Sequence, residues 1–536
     1  MSRLDDIING LPFTLTDEQD FFLRDFTSGN GHATLIGDGG SGKTTVMWVL
    51  DKYYNSDVVF GGSSGIATVN LPDNIGLCTG HSMLKLSVGE AIDKDYKRSA
   101  IKALTGSDQI KVIILDEAYC YNSQDLDQML NQVRKLNKAT SKRRARNIRL
   151  LLVGDPLQRL PIVDDKLRGK LYDNFGHYLM FKSSVWKRFN PACYVFQEVK
   201  RQDGTSPKDI WFKKCLYVLR YGIEKHYDKV LEGLNKLVVG DDYEEGSLYI
   251  APTNALVDEY NRTYLENNPN NKVSFTAKFD AKYDKFQFPL EKVVTLAEGC
   301  KVICLVNDQE GSYQNGTEIA VTSILEDEGI YGRKENGDEI FVAVHEFKQE
   351  DIEFVETPVQ EVNSSEKRKL ILKHCDKKLL VKTLKGKFVD TADESFTEDK
   401  LPYLLGCLST DAVDQLYIQN VKDKAMHQER VHIASAYMLP VKLSAGFVCA
   451  RVQGRTFNRK GLIDVGDPAK DYFYTWNKMP DFMVAGLFVA LGRFTSIDHI
   501  QLKRPIEKRH IKVDRDSINF WWECVSEFNK RREGMI

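Results

Sequence analysis

The fold is decided by residues 33–44, whose sequence is ATLIGDGGSGKT. The first four residues form a short, mainly apolar run without regular alternation, which predicts a buried parallel strand. The next eight residues fit the pattern GxxxxGK[ST], and the sequence after them predicts a helix over residues 44–54. Glycines allow backbone N–H groups to point at phosphate oxygens, and the N-terminus of a helix adds a positive dipole end. This stretch therefore predicts a nucleotide-binding loop between a strand and a helix.

The residues of this loop have distinct expected roles. Lys43 should reach the β- and γ-phosphates of ATP, and the hydroxyl of Thr44 should bind Mg²⁺. The full set that we expect at the nucleotide is Gly37, Gly39, Gly40, Ser41, Gly42, Lys43, Thr44 and Thr45.

Two further strand ends carry residues suited to hydrolysis of the γ-phosphate. Residues 111–118, KVIILDEA, end in two acids: Asp116 would hold Mg²⁺, and Glu117 would orient and deprotonate the attacking water. Residues 150–161, LLLVGDPLQRLP, place Gln158 on a loop at the carboxyl edge of the sheet, where ligands of open α/β sheets bind. A neutral amide at that edge can sense whether a γ-phosphate is present.

Short apolar runs alternate with helical patterns along much of the chain, which predicts an α/β fold with parallel sheets. The runs lie at residues 33–36, 58–60, 112–115, 150–153 and 248–250, and strand-like runs return at 431–436, 462–465 and 487–491. Between the two groups, Asn-Gly pairs at residues 315–316 and 336–337 predict β-hairpins. We therefore expect a first domain at residues 1–190, a second at 191–275 and 432–536, and an inserted β-rich module at 276–431.

Composition excludes several classes of protein. The 536 residues include 74 Lys plus Arg and 76 Asp plus Glu, a formal net charge of -2, which excludes a chain that is basic throughout, such as a histone-like DNA coater. No apolar run approaches the length of about 20 residues that spans a membrane. The ten cysteines are scattered without a CxxC pair, which is typical of a reducing, cytosolic compartment.

The three motifs, in this order, resemble those of superfamily 1 helicases, and most closely the 5′-to-3′ branch, superfamily 1B, with its phage Dda, Pif and RecD groups. Residues 15–19, LTDEQ, resemble the Q motif, which implies that Gln19 contacts adenine. Residues 198–201, EVKR, and 488–495, FVALGRFT, resemble segments that carry two arginine fingers, here Arg201 and Arg493. Residues 453–456, QGRT, resemble motif V, which implies that Gln453 and Gly454 lie at the nucleotide.

Other segments resemble the DNA contacts of the same family. Residues 79–84, TGHSML, resemble an element that touches the DNA strand, and residues 251–254, APTN, resemble a motif of the second RecA-like domain. Two of the segments that the resemblance places at the DNA differ from the family's usual sequence. Residues 61–65 read GGSSG where Pro-Thr is usual, and Ala450 stands where a His is usual. The residues that the resemblance implies at the nucleic acid are Ser63, Ser64, His81, Ser82, Tyr96, Thr253, Asn254 and Arg451.

The resemblance also implies an architecture and an activity. Two RecA-like P-loop NTPase domains would enclose ATP, with a strand-separating wedge at residues 85–110 of the first and an SH3-like module inserted in the second. The implied activity is that of an ATP-dependent DNA helicase, moving 5′ to 3′ on single-stranded DNA and unwinding duplexes in the replication, recombination or repair of a phage. The implied partners are single-stranded DNA, DNA forks and replication proteins such as a single-strand-binding protein. A monomer in the cytoplasm (the host cytoplasm for a phage protein), without membrane association, is expected.

Two other functions stay open from the sequence. One is a viral superfamily 1 RNA helicase, and the other is a nucleotide-controlled remodelling ATPase that does not unwind. The Gln453-Gly454 and His81-Ser82 elements favour the helicase over the remodelling ATPase.

Overall fold

The computed structural model describes residues 2–63, 71, 78–84, 86, 110–138, 147–199, 204–244, 246–279, 292–308, 311–356, 363–375, 380–381, 384, 401–420, 426–466 and 485–534. Ser64, Tyr96 and Arg201, together with nearly all of the expected wedge at residues 85–110, lie outside these ranges. Their predicted roles stay predictions.

The first sheet is built from the runs that the sequence predicts as buried parallel strands. Its strands are β1 (Ala33–Gly37), β2 (Val58–Gly62), β3 (Cys78–Thr79), β4 (Val112–Asp116), β5 (Arg149–Gly154) and β6 (Ala192–Phe196). All neighbours are parallel, in the order β3-β2-β4-β5-β1-β6, and every residue of β1, β2 and β5 is buried. The carboxyl ends of β4, β5 and β1 are therefore adjacent, which brings the three predicted motifs to one edge.

The helices of this part of the chain begin where the sequence supplies caps. They are α1 (Arg3–Asn9), α2 (Asp17–Ser28), α3 (Lys43–Tyr54), α4 (Gly80–Leu84), α5 (Ser123–Lys138), α6 (Asp165–Phe175) and α7 (Ser184–Phe189). At the start of α2, the side chain of Thr16 accepts from the N–H of Gln19, and Gln19 Oε1 accepts from the N–H of Thr16. The start of α3 directly after the phosphate loop agrees with the prediction.

The second domain begins with the helices α8 (Pro207–Tyr221) and α9 (Tyr227–Leu234), followed by strand β7 (Leu248–Ala251) and helix α10 (Asn254–Asn267). Ser206 caps α8, Pro207 occupies its first turn, and Gly222 ends it in the left-handed conformation at φ +62°. The apolar side of α8 packs into the core of the second domain through residues that include Phe212, Cys215, Leu216 and Leu219.

The inserted module is antiparallel, as the Asn-Gly pairs predict. Its strands are β8 (Lys272–Thr276), β9 (Lys278–Phe279), β10 (Val293–Ala297), β11 (Lys301–Cys304), β12 (Glu318–Leu325), β13 (Gly329–Arg333), β14 (Glu339–Ala343), β15 (His345–Glu356), β16 (Met426–Met438) and β17 (Val441–Leu443). The main sheet has the order β14-β13-β12-β11-β17. Gly337, in the short connection between β13 and β14, has a φ of +93°, which a tight hairpin turn requires. Gly316, at φ +101°, is in a turn directly before β12, where its N–H donates to the carbonyl oxygen of Cys304 at 2.8 Å, so this Asn-Gly pair is not the tip of a tight hairpin between β11 and β12.

The module extends further along the chain than the predicted limit at residue 431. Residues 431–436 lie within β16, which is antiparallel to β15, so the prediction of a strand of the second α/β domain there is wrong. The strand β17 also belongs to the module, because it pairs with β11. A buried apolar run has the same sequence pattern in a parallel and an antiparallel sheet. The run alone therefore does not predict which strand it will pair with.

Between β15 and β16, the structure describes the helices α11 (Ser364–His374), α12 (Leu401–Cys407) and α13 (Thr410–Asn420). They have a small core of their own, with Ile371, Leu405, Val413 and Tyr417 among its buried members. These three helices therefore form a separate packing unit, which lies in the chain between the paired strands β15 and β16.

After the insert, the chain returns to the second sheet through β18 (Gly446–Val448), β19 (Gly461–Ile463) and β20 (Ile500–Leu502), with helix α14 (Gly486–Leu491) between the last two. The order is β18-β7-β19-β20, and all neighbours are parallel. Residues 487–491 are thus in a buried helix rather than the predicted strand, because a fully apolar run of this length suits either element.

The last helix, α15 (Arg515–Arg532), packs in the core of the first domain, against β6. Trp521 is 1% exposed in that core, whereas its neighbour Trp522 is 44% exposed. The first domain therefore includes both β6, which lies past the predicted boundary at residue 190, and a helix from the far end of the described chain. None of the helices that the structure describes is long and apolar enough to cross a membrane.

Candidate nucleotide and nucleic-acid site

The phosphate loop between β1 and α3 has the backbone conformation that its glycines allow. Gly40 and Gly42 have φ values of +88° and +85°. A Cβ atom at Gly42 would lie 2.2 Å from Gln19 Nε2, and a Cβ atom at Gly37 would lie 2.6 Å from Ser41 Oγ. The glycines are thus required by backbone conformation at Gly42 and by close packing at both positions.

Lys43 lies within this loop. Its Nζ donates to the carbonyl oxygens of Gly37 at 2.7 Å and Asp38 at 2.8 Å. Burial lowers the pKa of Lys43, and the carboxylates of Asp155 and Glu117 oppose that shift. A phosphate arriving at the loop would offer this ammonium group a charged acceptor in place of two neutral carbonyls. Thr44 and Thr45 follow in the first turn of α3, both half-buried.

Gln19 is buried against the phosphate loop and uses both ends of its amide. Its Oε1 completes the cap of α2, and its Nε2 donates to the carbonyl oxygen of Ser41 at 3.1 Å. The structure therefore gives Gln19 a role in supporting the loop, while its contact with adenine stays a prediction.

Asp116 and Glu117 lie at the end of β4, which is separated by β5 from β1 and its phosphate loop in the sheet order. Burial, followed by the adjacent carboxylate of Glu117, raises the pKa of Asp116 to about 7. Glu117 has a left-handed backbone with φ +50°, and its Oε2 accepts from Gln453 Nε2 at 2.7 Å. The second domain thus places a side chain directly on the predicted catalytic acid.

The donor set fits a divalent cation. Two adjacent carboxylates at one strand end, with the hydroxyl of Thr44 on the neighbouring helix, supply the oxygen ligands that Mg²⁺ prefers. The pKa of Asp116 is raised first by burial and then by the negative charge of Glu117, and a bound cation would oppose both effects.

Asp155 and Gln158, on the loop after β5, are both buried. Gln158 Nε2 donates to Asp155 Oδ2 at 2.8 Å. The same carboxylate accepts two hydrogen bonds from Arg220, in the last turn of α8, at 2.6 and 3.0 Å. The sequence reasoning selected Gln158 here and missed the buried ion pair beside it.

A signal for Arg220 is present in the sequence. Phe212, Leu216 and Arg220 are spaced by four residues, so the arginine continues the apolar stripe of α8. A charged residue on a buried stripe needs a partner, and Asp155 in the Gly-Asp pair after β5 is that partner.

Arg493, the predicted second arginine finger, follows α14 and is 1% exposed. Its Nε donates to the carbonyl oxygen of Val489 at 3.0 Å. Burial lowers its pKa, and Glu117 and Asp38 oppose that shift, so its charge acts on acids of the first domain. Gly454 also lies near Glu117, since a Cβ atom at Gly454 would be 3.9 Å from Glu117 Oε1. Its backbone is left-handed, with φ +81°. Gln453, Gly454 and Arg493 are therefore brought to the nucleotide side of the first domain.

The predicted nucleic-acid residues of the first domain lie at the carboxyl edge of its sheet. Ser63 directly follows β2, and its N–H donates to the carbonyl oxygen of Asp116 at 3.2 Å. His81 and Ser82 follow β3, which pairs with β2. His81 Nε2 lies 3.5 Å from Asp125 Oδ1, and its imidazole is 30% exposed.

The corresponding residues of the second domain also share one edge. Val448 at the end of β18 is in register with Ala251 at the end of β7, so the segments after both strands are adjacent. Thr253 accepts from the N–H of Leu256 at 3.4 Å and caps α10, and Asn254 is exposed beside it. Arg451 is half-buried in the turn after β18. Each domain thus offers polar side chains at the edge where its strands end.

Arg455 is a further residue that the sequence reasoning did not single out. It follows Gly454, forms an ion pair with Glu318 of β12, and donates to the carbonyl oxygen of Gly316 at 3.4 Å. Its guanidinium lies over the ring of Phe447, 5.0 Å from the centroid. Motif V is therefore joined directly to the inserted module.

Comparisons with known proteins agree with this geometry. Residues 14–215 match the model of the PIF1-like helicase family. A protein of Bdellovibrio bacteriovorus, named ATP-dependent DNA helicase Pif1, is 25% identical over 348 residues, which are 63% of this chain and 74% of that protein.

Solved structures extend the likeness to almost the whole chain. Pif1 of Bacteroides bound to single-stranded DNA covers 96% of this chain and 98% of its own, with a TM-score of 0.69 and 20% identity. The Bacteroides protein with ADP-AlF3 and single-stranded DNA has the same TM-score, 0.69, at 20% identity, covering 96% of this chain and 99% of its own. Pif1 helicase of Candida albicans covers 95% of this chain and 99% of its own, with a TM-score of 0.62 and 18% identity. The predicted fold class of two RecA-like domains is thereby confirmed, and the match of residues 14–215 agrees with the resemblance to the Pif group.

Proposed function

Because its first domain matches the PIF1-like helicase family and its fold is that of Pif1 helicases, we propose that this chain is an ATP-dependent DNA helicase. The observation that carries the proposal is the contact of Gln453, in the second domain, with Glu117, in the first, at 2.7 Å. Hydrolysis then depends on the relative position of the two domains, which is what a motor driven by ATP requires.

The described residues would have different roles in ATP hydrolysis. Lys43 and the backbone N–H groups of the loop hold the β- and γ-phosphates, and Glu117 takes a proton from the attacking water. The water oxygen bonds to the γ-phosphorus as the bond to the β–γ bridging oxygen breaks, and Arg493 neutralises charge on the transferring group. Mg²⁺, held by Thr44 and Asp116, would neutralise charge on the β- and γ-oxygens. The adenine contact of Gln19 and the finger role of Arg201 belong to the same proposal.

Movement on the nucleic acid follows from the same arrangement. Ser63, His81 and Ser82 in the first domain, and Thr253, Asn254 and Arg451 in the second, would grip one strand alternately as the domains close and separate. Ser64 and Tyr96 would add contacts, the latter at the point of strand separation within residues 85–110. We propose the 5′-to-3′ direction, on the likeness of the motifs to superfamily 1B.

The proposed setting is phage DNA replication, recombination or repair. The protein would act as a monomer in the cytoplasm of the host, on single-stranded DNA and forks, together with replication proteins such as a single-strand-binding protein. The net charge of -2 suits a motor that must release DNA in every cycle.

The test combines ATP hydrolysis with strand separation on matched DNA and RNA duplexes that carry a 5′ or a 3′ tail. We expect hydrolysis to rise at least about tenfold with single-stranded DNA, and only the 5′-tailed DNA duplex to be unwound. Lys43→Ala should abolish both activities, whereas Lys52→Ala, on the exposed side of the same helix, should abolish neither. Preference for RNA would favour a viral RNA helicase, and hydrolysis indifferent to nucleic acid would favour a remodelling ATPase.

A further inference from the structure

The carboxylate of Asp155 accepts hydrogen bonds from both domains. Within its own loop, it accepts from the N–H of Leu157 at 2.9 Å and from Gln158 Nε2 at 2.8 Å. From the second domain, Arg220 donates Nη1 to Oδ2 at 2.6 Å and Nη2 to Oδ1 at 3.0 Å. Burial alone would raise the pKa of Asp155, but the charge and hydrogen bonds of Arg220 lower it below its ordinary value. The pair is therefore ionised and bidentate.

Arg220 lies at the junction of the two domains and next to the phosphate loop. Its guanidinium is 4.5 Å from the ring centroid of Trp521, in the core of the first domain, and 5.4 Å from that of Phe488, in the core of the second. Nη1 also lies 3.4 Å from the carboxylate of Asp38, in the loop itself. A side chain that is 2% exposed and surrounded in this way is held by groups of both domains.

This pair determines which end of the Gln158 amide contacts Asp155. A carboxylate only accepts hydrogen bonds, so the amide nitrogen of Gln158 must be the end that faces Asp155. The other end, Oε1, is buried and has no hydrogen-bond partner among the residues that the structure describes. A carbonyl oxygen accepts and does not donate, so it suits the O–H of an attacking water and not an oxygen of the γ-phosphate.

We propose that Arg220 is a positioning residue for ATP hydrolysis: by holding Asp155, it orients Gln158 so that the carbonyl oxygen accepts from the attacking water. Because Arg220 belongs to α8 of the second domain, this orientation exists only while the two domains are in contact here. The inference rests on the proposed function, since it assigns a device to the same nucleotide site. Separation of the domains would release Asp155, allow the amide of Gln158 to turn, and stop hydrolysis.

The test is a double-mutant cycle between Arg220 and Gln158, measured as kcat and KM for ATP. Arg220→Lys keeps the charge but loses the two-pronged contact, and should lower kcat by about tenfold or more with less than about threefold change in KM. Gln158→Ala should lower kcat to a similar extent. The double variant Arg220→Lys/Gln158→Ala should be no slower than the slower single variant, because the two side chains act as one unit. Losses that multiply in the double variant would overturn the inference.

A matched pair inside the second domain controls for stability. Arg504 donates from one nitrogen, Nη1, to both oxygens of the buried Asp464 at 2.6 and 2.7 Å, and neither residue is among those proposed at the nucleotide. Arg504→Lys should leave kcat unchanged. If Arg504→Lys lowers kcat as much as Arg220→Lys does, loss of stability would explain both effects, and the positioning role would be refuted.

Two further measurements separate the outcomes. If Arg220→Lys does not fold, Asp155→Asn/Arg220→Gln removes both buried charges and should show the same loss of kcat with KM nearly unchanged, while full activity would contradict the inference. If single-stranded DNA does not stimulate ATP hydrolysis by the unmodified protein, the proposed function fails. The double-mutant cycle can then still be measured on hydrolysis without DNA, so the role of Arg220 is tested independently.

Discussion

At the scale of single residues, Asp116, the proposed ligand of Mg²⁺, is a buried carboxyl beside a second acid. Burial and the neighbouring Glu117 raise its pKa from the ordinary 3.8 to about 7. Between these values the folded protein binds a proton that the unfolded chain does not, so this carboxyl costs stability as pH rises from about 4 to 7. A divalent cation would remove that cost by supplying the missing positive charge.

The consequence can be measured with Asp116→Asn in the absence of Mg²⁺. Removing the buried charge should raise the melting temperature by a few degrees at pH 8 and by less at pH 6, where the native carboxyl is already largely protonated. The same variant should lose Mg²⁺-dependent hydrolysis. Asp173→Asn, at an exposed position of α6, should change neither quantity. A lower melting temperature at pH 8 for Asp116→Asn would contradict the assignment of a strained, unneutralised carboxylate.

At the scale of elements, the last helix, α15, completes the core of the first domain. The helix α15 covers β6, and Trp521 is buried there beside Arg220, while Trp522, one residue later, is 44% exposed. The two tryptophans form a natural comparison, because they share a helix and differ mainly in burial.

Trp521→Ala should destabilise the first domain by about 3–5 kcal/mol, since it removes a large side chain from a packed core. Trp522→Ala should have an effect within about 0.5 kcal/mol, as is usual for an exposed position. Urea denaturation followed by circular dichroism measures both. Equal losses in the two variants would show that the helix does not pack through the face that Trp521 occupies.

The same scale shows what the sequence could and could not predict. The phosphate loop, the acid pair at the end of β4 and the Asn-Gly hairpin at residues 336–337 were predictable, because each depends on neighbouring residues and their backbone geometry. The helix at residues 487–491 and the antiparallel strand at 431–436 were predicted wrongly, because an apolar run is equally suited to several buried environments. The Arg220–Asp155 pair joins segments 65 residues apart, and no local pattern identifies which acid an arginine will meet.

At the scale of the whole molecule, Arg455 connects the candidate nucleotide site to the inserted module. It lies two residues after Gln453, which contacts Glu117, and it pairs with Glu318 in β12. A displacement of Glu117, the proposed catalytic acid, can therefore reach the module through residues 453–455 of one turn.

We expect Arg455→Ala to separate unwinding from hydrolysis. Hydrolysis stimulated by single-stranded DNA should stay within about threefold of the unmodified protein, whereas the unwinding rate should fall about tenfold or more. Arg459→Ala is the control, because Arg459 is 3.9 Å from the same Glu318 and more exposed, and it should affect unwinding little. Parallel loss of both activities in Arg455→Ala would show a role at the nucleotide instead.

The position of α15 has a mechanical consequence for the two domains. Along the described residues, the chain leaves the first domain after β6, and it returns there at α15 after completing the second. Two bodies joined by a single tether can twist and swing in any direction, but two separate tethers leave free rotation only about the line that passes through both. If the domains open and close as proposed, the covalent path of the chain limits the axis of that motion and returns the same surfaces to contact.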